Sequence, residues 1–332
     1  MKREFSAVDE ERPGETFRHI FQNAWPSYSR WWLSEGDDAR PSYLVCRRAM
    51  RRHMPELLPL YEEWCELAGG GDQEARFLSL YCPPAYLSAC SQAIWTGPEP
   101  LLVRNYDYDP RYFDALVLRT RWLGERRVLG MADCLVGLLD GINDAGLAVS
   151  LTFGGPRITG EGFGIPLIIR YLLETCSTTR EATRALTRIP CHMAYNVTVL
   201  DKAGGRATVM LTPGQDARVT RTPVATNHQP GSTLRNTSRV QTSVDRERFL
   251  LRRLTMHVET AERFVAAFLR PPLYSTAFAS GYGTLYTAAY RPLAGELRLH
   301  WPGAEWTLSL DRFEPGTRVI GYRGAPQSAV AE

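Results

Sequence analysis

Apolar positions recur at three- and four-residue spacing through residues 15–66, in "ETFRHIFQNAWPSYSRWWL" and "RRAMRRHMPELLPLYEEWCELA", the period of amphipathic helices. "GGGDQ" then breaks the pattern. From Phe77 the period falls to two, which predicts strands over "FLSLY", "SQAIWT", "LLVRNYD", "DALVLRTRWL", "RRVLGMA" and "GLAVSLTF". Two helices follow, "IPLIIRYLLETC" and "TTREATRALTRI", the second with Thr178 and Thr179 at its start and Glu181 close behind, an N-cap region. Strands return in "AYNVTVLDKAGGRATVML", turning at "DKAGG", and in "ARVTRTPVATN". "SVDRERFLLRRLTM" and "TAERFVAAFLR" read as helices, and a long hairpin, "GTLYTAAYRPLAGELRLHWPG", precedes a last strand, "EWTLSL". Strand blocks alternate with helix pairs but never as βαβ repeats, so the expected class is α+β in packed layers rather than a doubly wound parallel sheet. A helical front piece hands over to a β-rich body between residues 70 and 89.

Composition narrows the function little. The chain has 332 residues, 44% hydrophobic and 23% charged, which suits a globular protein. A net charge of +3, with basic residues scattered among acids, gives no case for nucleic acid. No run approaches the length of a membrane span, and the charged opening "MKREFSAVDEERPGE" has no apolar core of a signal peptide. Seven cysteines, an odd number without regular spacing or a CxxC pair, predict neither a disulfide framework nor a metal site. A reducing cytoplasm is the expected location, with no cofactor.

The chemistry concentrates in "ACSQAIWTGPEPLLVRNYDYDP" (89–110). Two apolar strands flank a Gly-Pro-Glu-Pro turn, and antiparallel pairing returns Arg104 and Asp107 to the level of Cys90. A thiol needs a base or a cationic neighbour at neutral pH. Arg104 offers a cation and Asp107 an anchor for an amine or a guanidinium. No histidine lies in the stretch. The α-amino group of Cys90 itself has a suitable range as a base, and it exists only once the Ala89–Cys90 bond is cut. A buried structural cysteine beside a structural Arg–Asp pair is the ordinary alternative.

This stretch resembles the opening of the cysteine-type N-terminal nucleophile (Ntn) hydrolases, which include bile salt hydrolases, penicillin V acylases and the isopenicillin N acyltransferase family. Further landmarks follow in the same order. "GINDAGLAVSLTFGG" (141–155) is similar to a segment whose strand supplies a backbone oxyanion donor, "VATNH" (224–228) to one carrying an oxyanion asparagine, and "SVDRERF" (243–249) to one bringing a second arginine. "TLYTAAYRPLAGELRLHWPG" resembles the closing hairpin of the acyltransferase branch. The resemblance implies a four-layer αββα sandwich, with residues 1–89 a helical pro-segment that stays docked after self-cleavage and residues 90–332 the catalytic domain. It makes Cys90 the nucleophile with its liberated amine as base, Arg104 and Asp107 its orienters, and Arg246 the second guanidinium. Asn227 and a backbone N–H at Thr152 or Phe153 would form the oxyanion hole. Beside the resemblance, Tyr106 and Tyr108 alternate around Asp107 in position to shape an acyl pocket, and His228 after Asn227 reads as a structural or substrate-lining residue. The implied reaction is hydrolysis or transfer at the amide bond of a small N-acyl amine, with acyl-CoA or an amine as the second substrate. The chain departs from the pattern in two places. Ala89 stands where acyltransferases often have glycine, and residues 148–155 lack the asparagine of bile salt hydrolases.

Two other readings stay open: an uncut Cys–His thiol hydrolase using His228, and a non-catalytic relative that binds a ligand. Homo-oligomerisation is open as well. His192 beside Cys191 suggests a metal pair, but neighbours on a strand face opposite ways. Asn143 and Asp144 read as turn residues, and Asn196 as a backbone partner near the site. "GEGFG" (160–164) reads as a flexible loop at the substrate entrance, since it lacks the strand and lysine of a phosphate loop. Phe21, Tyr28, Trp31 and Trp32 form an aromatic stripe for packing against the body. Loops 154–165 and 229–240 would set the pocket volume.

Overall fold

The computed structural model describes residues 1–86, 89–231, 238–256 and 258–322. Strand β1 (Lys2–Glu10) opens the chain, ahead of helices α1 (Glu15–Trp32), α2 (Tyr43–His53), α3 (Leu58–Leu67) and α4 (Asp72–Leu78). The hairpin β2 (Ala89–Trp95) and β3 (Leu101–Tyr108) leads into a meander of β4 (Leu116–Thr120), β5 (Val128–Asp133), β6 (Gly137–Asn143) and β7 (Leu147–Phe153). Helices α5 (Ile165–Thr175) and α6 (Thr179–Arg188) precede β8 (Tyr195–Asp201), β9 (Arg206–Leu211), β10 (Arg218–Thr220) and β11 (Val224–Ala225). Helices α7 (Ser238–Leu254) and α8 (Ala261–Phe268) follow, then β12 (Gly283–Arg291), β13 (Glu296–Trp301), β14 (Ala304–Ser309) and β15 (Gly316–Gly321).

Two sheets pack face to face. One has nine strands in the order β10-β9-β8-β7-β6-β5-β4-β1-β15, and the other six in the order β11-β2-β3-β12-β13-β14. Side-chain alternation sorts the layers. Leu102 of β3 joins Ile94, Met131, Leu139, Tyr286 and Leu297 between the sheets, whereas its neighbours Leu101 and Val103 meet Leu250, Phe264 and Phe268 of α7 and α8. Helices α1 to α6 cover the far face of the nine-stranded sheet, where Ile168 and Leu172 of α5 share one core with Trp64 and Phe77 of the front piece. The result is a four-layer αββα sandwich, as the resemblance implies, with sheets that are packed and not closed. The cap predicted for α6 is present: the Thr178 side chain accepts from the Glu181 amide at 3.3 Å.

Three local expectations fail. The front piece is not helical throughout, because β1 inserts between β4, to which it is parallel, and β15, to which it is antiparallel. In "KREFSAVDE" the buried apolar positions are Phe5 and Ala7, and Ser6, the half-buried Val8 and charged residues make up the rest; two inward apolar positions are too few to show a period. "FLSLY" is no strand. Phe77 and Leu78 end α4, and the chain then turns at Leu80 with a φ of 44°. The run is buried all along, so periodicity could not separate helix from strand. "GEGFG" is pinned rather than flexible. Its backbone bonds to Leu80, Cys82, Pro190 and His192, and a Cβ on Gly162 would come within 2.6 Å of the Cys191 carbonyl carbon.

Phe77 is fully buried, with ring centroids 5.3 Å from those of Trp25 and Tyr28 and 5.7 Å from that of Trp32. Replacing it with alanine should cost about 3–5 kcal/mol, measured as a lower denaturant midpoint at an unchanged slope.

Candidate active site

The β2–β3 register sets Cys90 opposite Tyr106, Gln92 opposite Arg104, and Ala89 opposite Asp107. Cys90, Gln92, Arg104 and Tyr106 therefore share the face turned toward the nine-stranded sheet, while Ser91, Asn105 and Asp107 face the α7–α8 layer. Partners agree with this division. Gln92 Nε2 donates to Thr198 Oγ1 at 2.7 Å, and Asn105 Nδ2 donates to the Phe268 carbonyl at 2.8 Å.

Cys90 is fully buried, and three groups converge on it from different elements. Arg104 Nη2 donates to Cys90 Sγ at 3.2 Å. The Cys90 backbone N–H donates to Asn227 Oδ1 at 3.0 Å. Arg246, on α7, uses Nη1 to donate to the Cys90 carbonyl at 3.1 Å and to Ser91 Oγ at 2.8 Å. The same atom lies 3.4 Å from Asp107 Oδ2, and Thr284 Oγ1 donates to Asp107 Oδ1 at 2.6 Å. Burial raises the Asp107 carboxyl above its ordinary range, and Arg246, Thr284 and Arg104 pull it back. Asp107 thus reaches Cys90 through Arg246, on the far face of the hairpin from the sulfur.

Arg104 is fully buried and has its own support. Nη1 donates to the Leu139 carbonyl at 2.7 Å and pairs with the Asp140 carboxylate, which also accepts from the hydroxyls of Tyr286 and Tyr290. Burial opposes the guanidinium charge, but Cys90, Tyr286 and Asp140 outweigh it, and the group stays well above its usual range. The Tyr106 ring lies beneath it, 4.9 Å from centroid to guanidinium, and 5.6 Å from the half-buried Tyr108.

The Asn227 segment is bracketed on both sides. Asn196 Nδ2 donates to the carbonyls of Thr226 and His228, at 2.9 and 3.1 Å, and Thr152 Oγ1 donates to the Thr226 carbonyl at 3.1 Å. His228 lies against α7, with Nε2 3.2 Å from Glu247 Oε2 and Nδ1 2.9 Å from Ser243 Oγ. Both ring nitrogens are engaged there. Just past β7, Gly154 N donates to the Ala194 carbonyl just ahead of β8, so strand alternation turns the Thr152 amide toward β8 and the Phe153 amide the other way. The β6–β7 pairing ends at Ser150, short of Phe153.

The remaining candidates have structural surroundings. Asn143 Nδ2 donates to the carbonyls of Leu173 and Cys176, tying the β6–β7 turn to α5. His192 Nδ1 bonds to Gly160 within the pinned loop. Among the described residues no cluster of three metal-ligating side chains exists, and no helix is long and apolar enough to cross a membrane. Most of loop 229–240 lies outside the described side chains. Sequence reasoning missed Asp140, Thr284, Tyr286 and Tyr290. The one signal for them was an acid alone in the apolar strand "GLLDGIN".

It also missed an acidic pair at the front-piece contact. Tyr28 of α1 donates to Asp114 Oδ2 at 2.6 Å and accepts from the Cys134 amide at 3.0 Å. Burial pushes the Asp133 carboxyl up, and the Asp114 charge adds to it; burial also pushes Asp114 up. A raised carboxyl binds protons in the folded chain that the unfolded chain has released, so stability falls as pH climbs above the ordinary range of about 4. Asp133→Asn should therefore flatten the pH dependence of the melting temperature. It should also stabilise the protein near neutral pH by at least about 1 kcal/mol. Thermal melts of both proteins across that range check it, and a wild-type slope kept by the variant would exclude this origin.

The family profile described as acyl-coenzyme A:6-aminopenicillanic acid acyl-transferase matches residues 95–306, well over half of the chain, opening just after Cys90. No curated protein matches in sequence. Among solved structures, the chain is similar to a penicillin V acylase from Agrobacterium tumefaciens, 13% identical over 67% of this chain and 87% of the other, with a TM-score of 0.41. It is also similar to a variant conjugated bile acid hydrolase from Clostridium perfringens (14% identity, 72% and 100% of the two chains, TM-score 0.45). A third is a Caenorhabditis elegans N-acylethanolamine-hydrolyzing acid amidase ortholog (17% identity, 61% and 92%, TM-score 0.45). By the extent of the profile match, this chain belongs to the acyl-coenzyme A:6-aminopenicillanic acid acyl-transferase family, and it is an amide-hydrolysing or acyl-transferring enzyme.

Proposed function

We propose that the chain is a self-processing cysteine amidohydrolase or acyltransferase that cuts its own Ala89–Cys90 bond and then acts on an N-acyl amine through a thioester on Cys90. The observation that carries this reading is the convergence of Arg104 on the Cys90 sulfur, of Asn227 on its nitrogen and of Arg246 on its carbonyl. Acyl transfer needs a nucleophile, a base within reach and donors for the developing oxyanion.

In the first step Cys90 Sγ attacks the Ala89 carbonyl carbon. The thiol proton passes to the Cys90 nitrogen as the peptide C–N bond breaks, leaving a thioester to Ala89 and a free α-amine. Water then releases the Ala89 carboxylate and restores the thiol. In turnover the amine takes the thiol proton while sulfur attacks the substrate amide, and hands it to the departing amine. Water or an acceptor amine resolves the thioester; acyl-CoA would enter as an alternative acyl donor. Asn227 Nδ2 and the Phe153 amide are the proposed oxyanion donors, with Thr152 bracing the first.

Charge balance supports the amine as partner. Arg104 pairs with Asp140, and Arg246 with Asp107, so the buried cations around Cys90 are already matched. A thiolate there would be an extra buried anion, and the ammonium freed at position 90 would compensate it. The uncut Cys–His reading fares worse, because both nitrogens of His228 bond toward α7 and Thr226.

Cleavage would not free residues 1–89, since β1 is hydrogen-bonded between β4 and β15. They are a docked pro-segment in this reading. Seven cysteines, each a thiol rather than half of a disulfide, suit a reducing compartment such as the cytoplasm. Intact-mass measurement should show fragments ending at Ala89 and starting at Cys90, and Cys90→Ala should stay one full-length chain. Uncut protein that turns over N-acyl amides at the full rate would overturn the proposal. In the processed enzyme Asn227→Ala should lower kcat by about 10²–10³, measured on N-acyl amines with and without an acceptor amine.

A further inference from the structure

Asp140 carries a charge in the space between the two sheets and has no part in the steps above. Its side chain is fully buried. It stands on β6 of the nine-stranded sheet, yet its three side-chain partners, Arg104, Tyr286 and Tyr290, belong to β3 and β12 of the other sheet. Tyr286 and Tyr290, four residues apart on one strand, point the same way and grip different carboxylate oxygens.

We propose that Asp140 is a positioning residue for Cys90: clamped by the two tyrosine hydroxyls, it fixes the Arg104 guanidinium with Nη2 on the sulfur and sets how much of that cation's charge the sulfur receives. A guanidinium whose Nη1 is held by two acceptors, Asp140 Oδ2 and the Leu139 carbonyl, has a defined rotation, which leaves Nη2 for Cys90. A merely structural ion pair would hold the sheets together without regard to the sulfur. The titratable and charged groups around Cys90 are Arg104 and Tyr106 from β3, Asp140 from β6 and Tyr286 from β12, with Asp133 beyond Arg104. On the backbone side lie Arg246 and Asp107.

The inference rests on Cys90 as the nucleophile, but its test does not require turnover. In protein labelled with carbon-13 at the cysteine Cβ positions, the Cys90 signal, assigned against Cys90→Ser, reports thiol ionisation even when buried. Asp140→Asn keeps the shape, with an amide oxygen still accepting from Nη1, and removes the opposing charge, so the Cys90 titration should move down by about one pH unit. An unmoved or upward titration in a folded variant, or a signal that titrates in neither protein, overturns the proposal. If Asp140→Asn does not fold, Tyr286→Phe serves instead. With one donor gone, more of the carboxylate's charge falls on Arg104 and the titration should move up; no movement again overturns it. Should Cys90→Ser leave wild-type turnover intact while Asp140→Asn still shifts the titration, the functional reading fails and the role of Asp140 stands.

Discussion

A buried guanidinium in contact with a buried sulfur is the constraint on which the site depends. Leaving a charge unpaired away from water is expensive, so Arg104 can lie beneath Cys90 only because Asp140 and the Leu139 carbonyl meet its Nη1. Asp140 in turn needs Tyr286 and Tyr290, which fixes β12 beside β3 at the level of Cys90. The face-to-face packing of the sheets and the geometry at the sulfur are thus one problem with one solution. The other face of the hairpin repeats the logic, with Arg246 between the Cys90 carbonyl and Asp107, and Thr284 on the remaining carboxylate oxygen.

The front piece takes part in this arrangement. β1 is a strand of the nine-stranded sheet, and Tyr28 of α1 bonds to Asp114 and to the Cys134 amide. Aromatic contacts continue from Trp31 to Tyr86, from Tyr86 to Tyr195, and from Tyr195 to Phe153 on β7. Tyr86, N-terminal to Cys90, therefore meets β8, whose Asn196 brackets the Asn227 segment. Cys134 and Leu135, which follow Asp133, have φ values of 53° and 65°, a left-handed pair without glycine. Such backbone persists only where its surroundings hold it, and the Tyr28 hydroxyl on the Cys134 amide is one of the holders.

Much of this was readable in the chain. The hairpin gave the register of Cys90 against Arg104 and Asp107, because two β-prone runs around a Gly-Pro turn leave little choice of pairing. Asn227 and Arg246 came through resemblance alone; no local periodicity joins residues 90, 227 and 246. Asp140, Tyr286 and Tyr290 stayed hidden because a lone acid in an apolar strand has no recognisable partner until the sheets are stacked. β1 was missed for a related reason. Its inward face has two apolar side chains, and its place in the sheet depends on β4 and β15, far away in sequence.

The placement of His228 shows how the two halves of the site are kept in step. Asn227 sits on a short connection after β11, the kind of segment that moves independently unless tied down. Here its neighbours on both sides bond to α7: Thr226 Oγ1 donates to the Ser243 carbonyl at 3.0 Å, and His228 bonds to Ser243 Oγ and Glu247. Arg246 lies on the same helix, between those two residues in sequence. The side chain on the Cys90 nitrogen and the side chain on its carbonyl therefore belong to one hydrogen-bonded unit. A shift of α7 relative to β2 would move both together, and preserve their mutual spacing while changing their distance from Cys90.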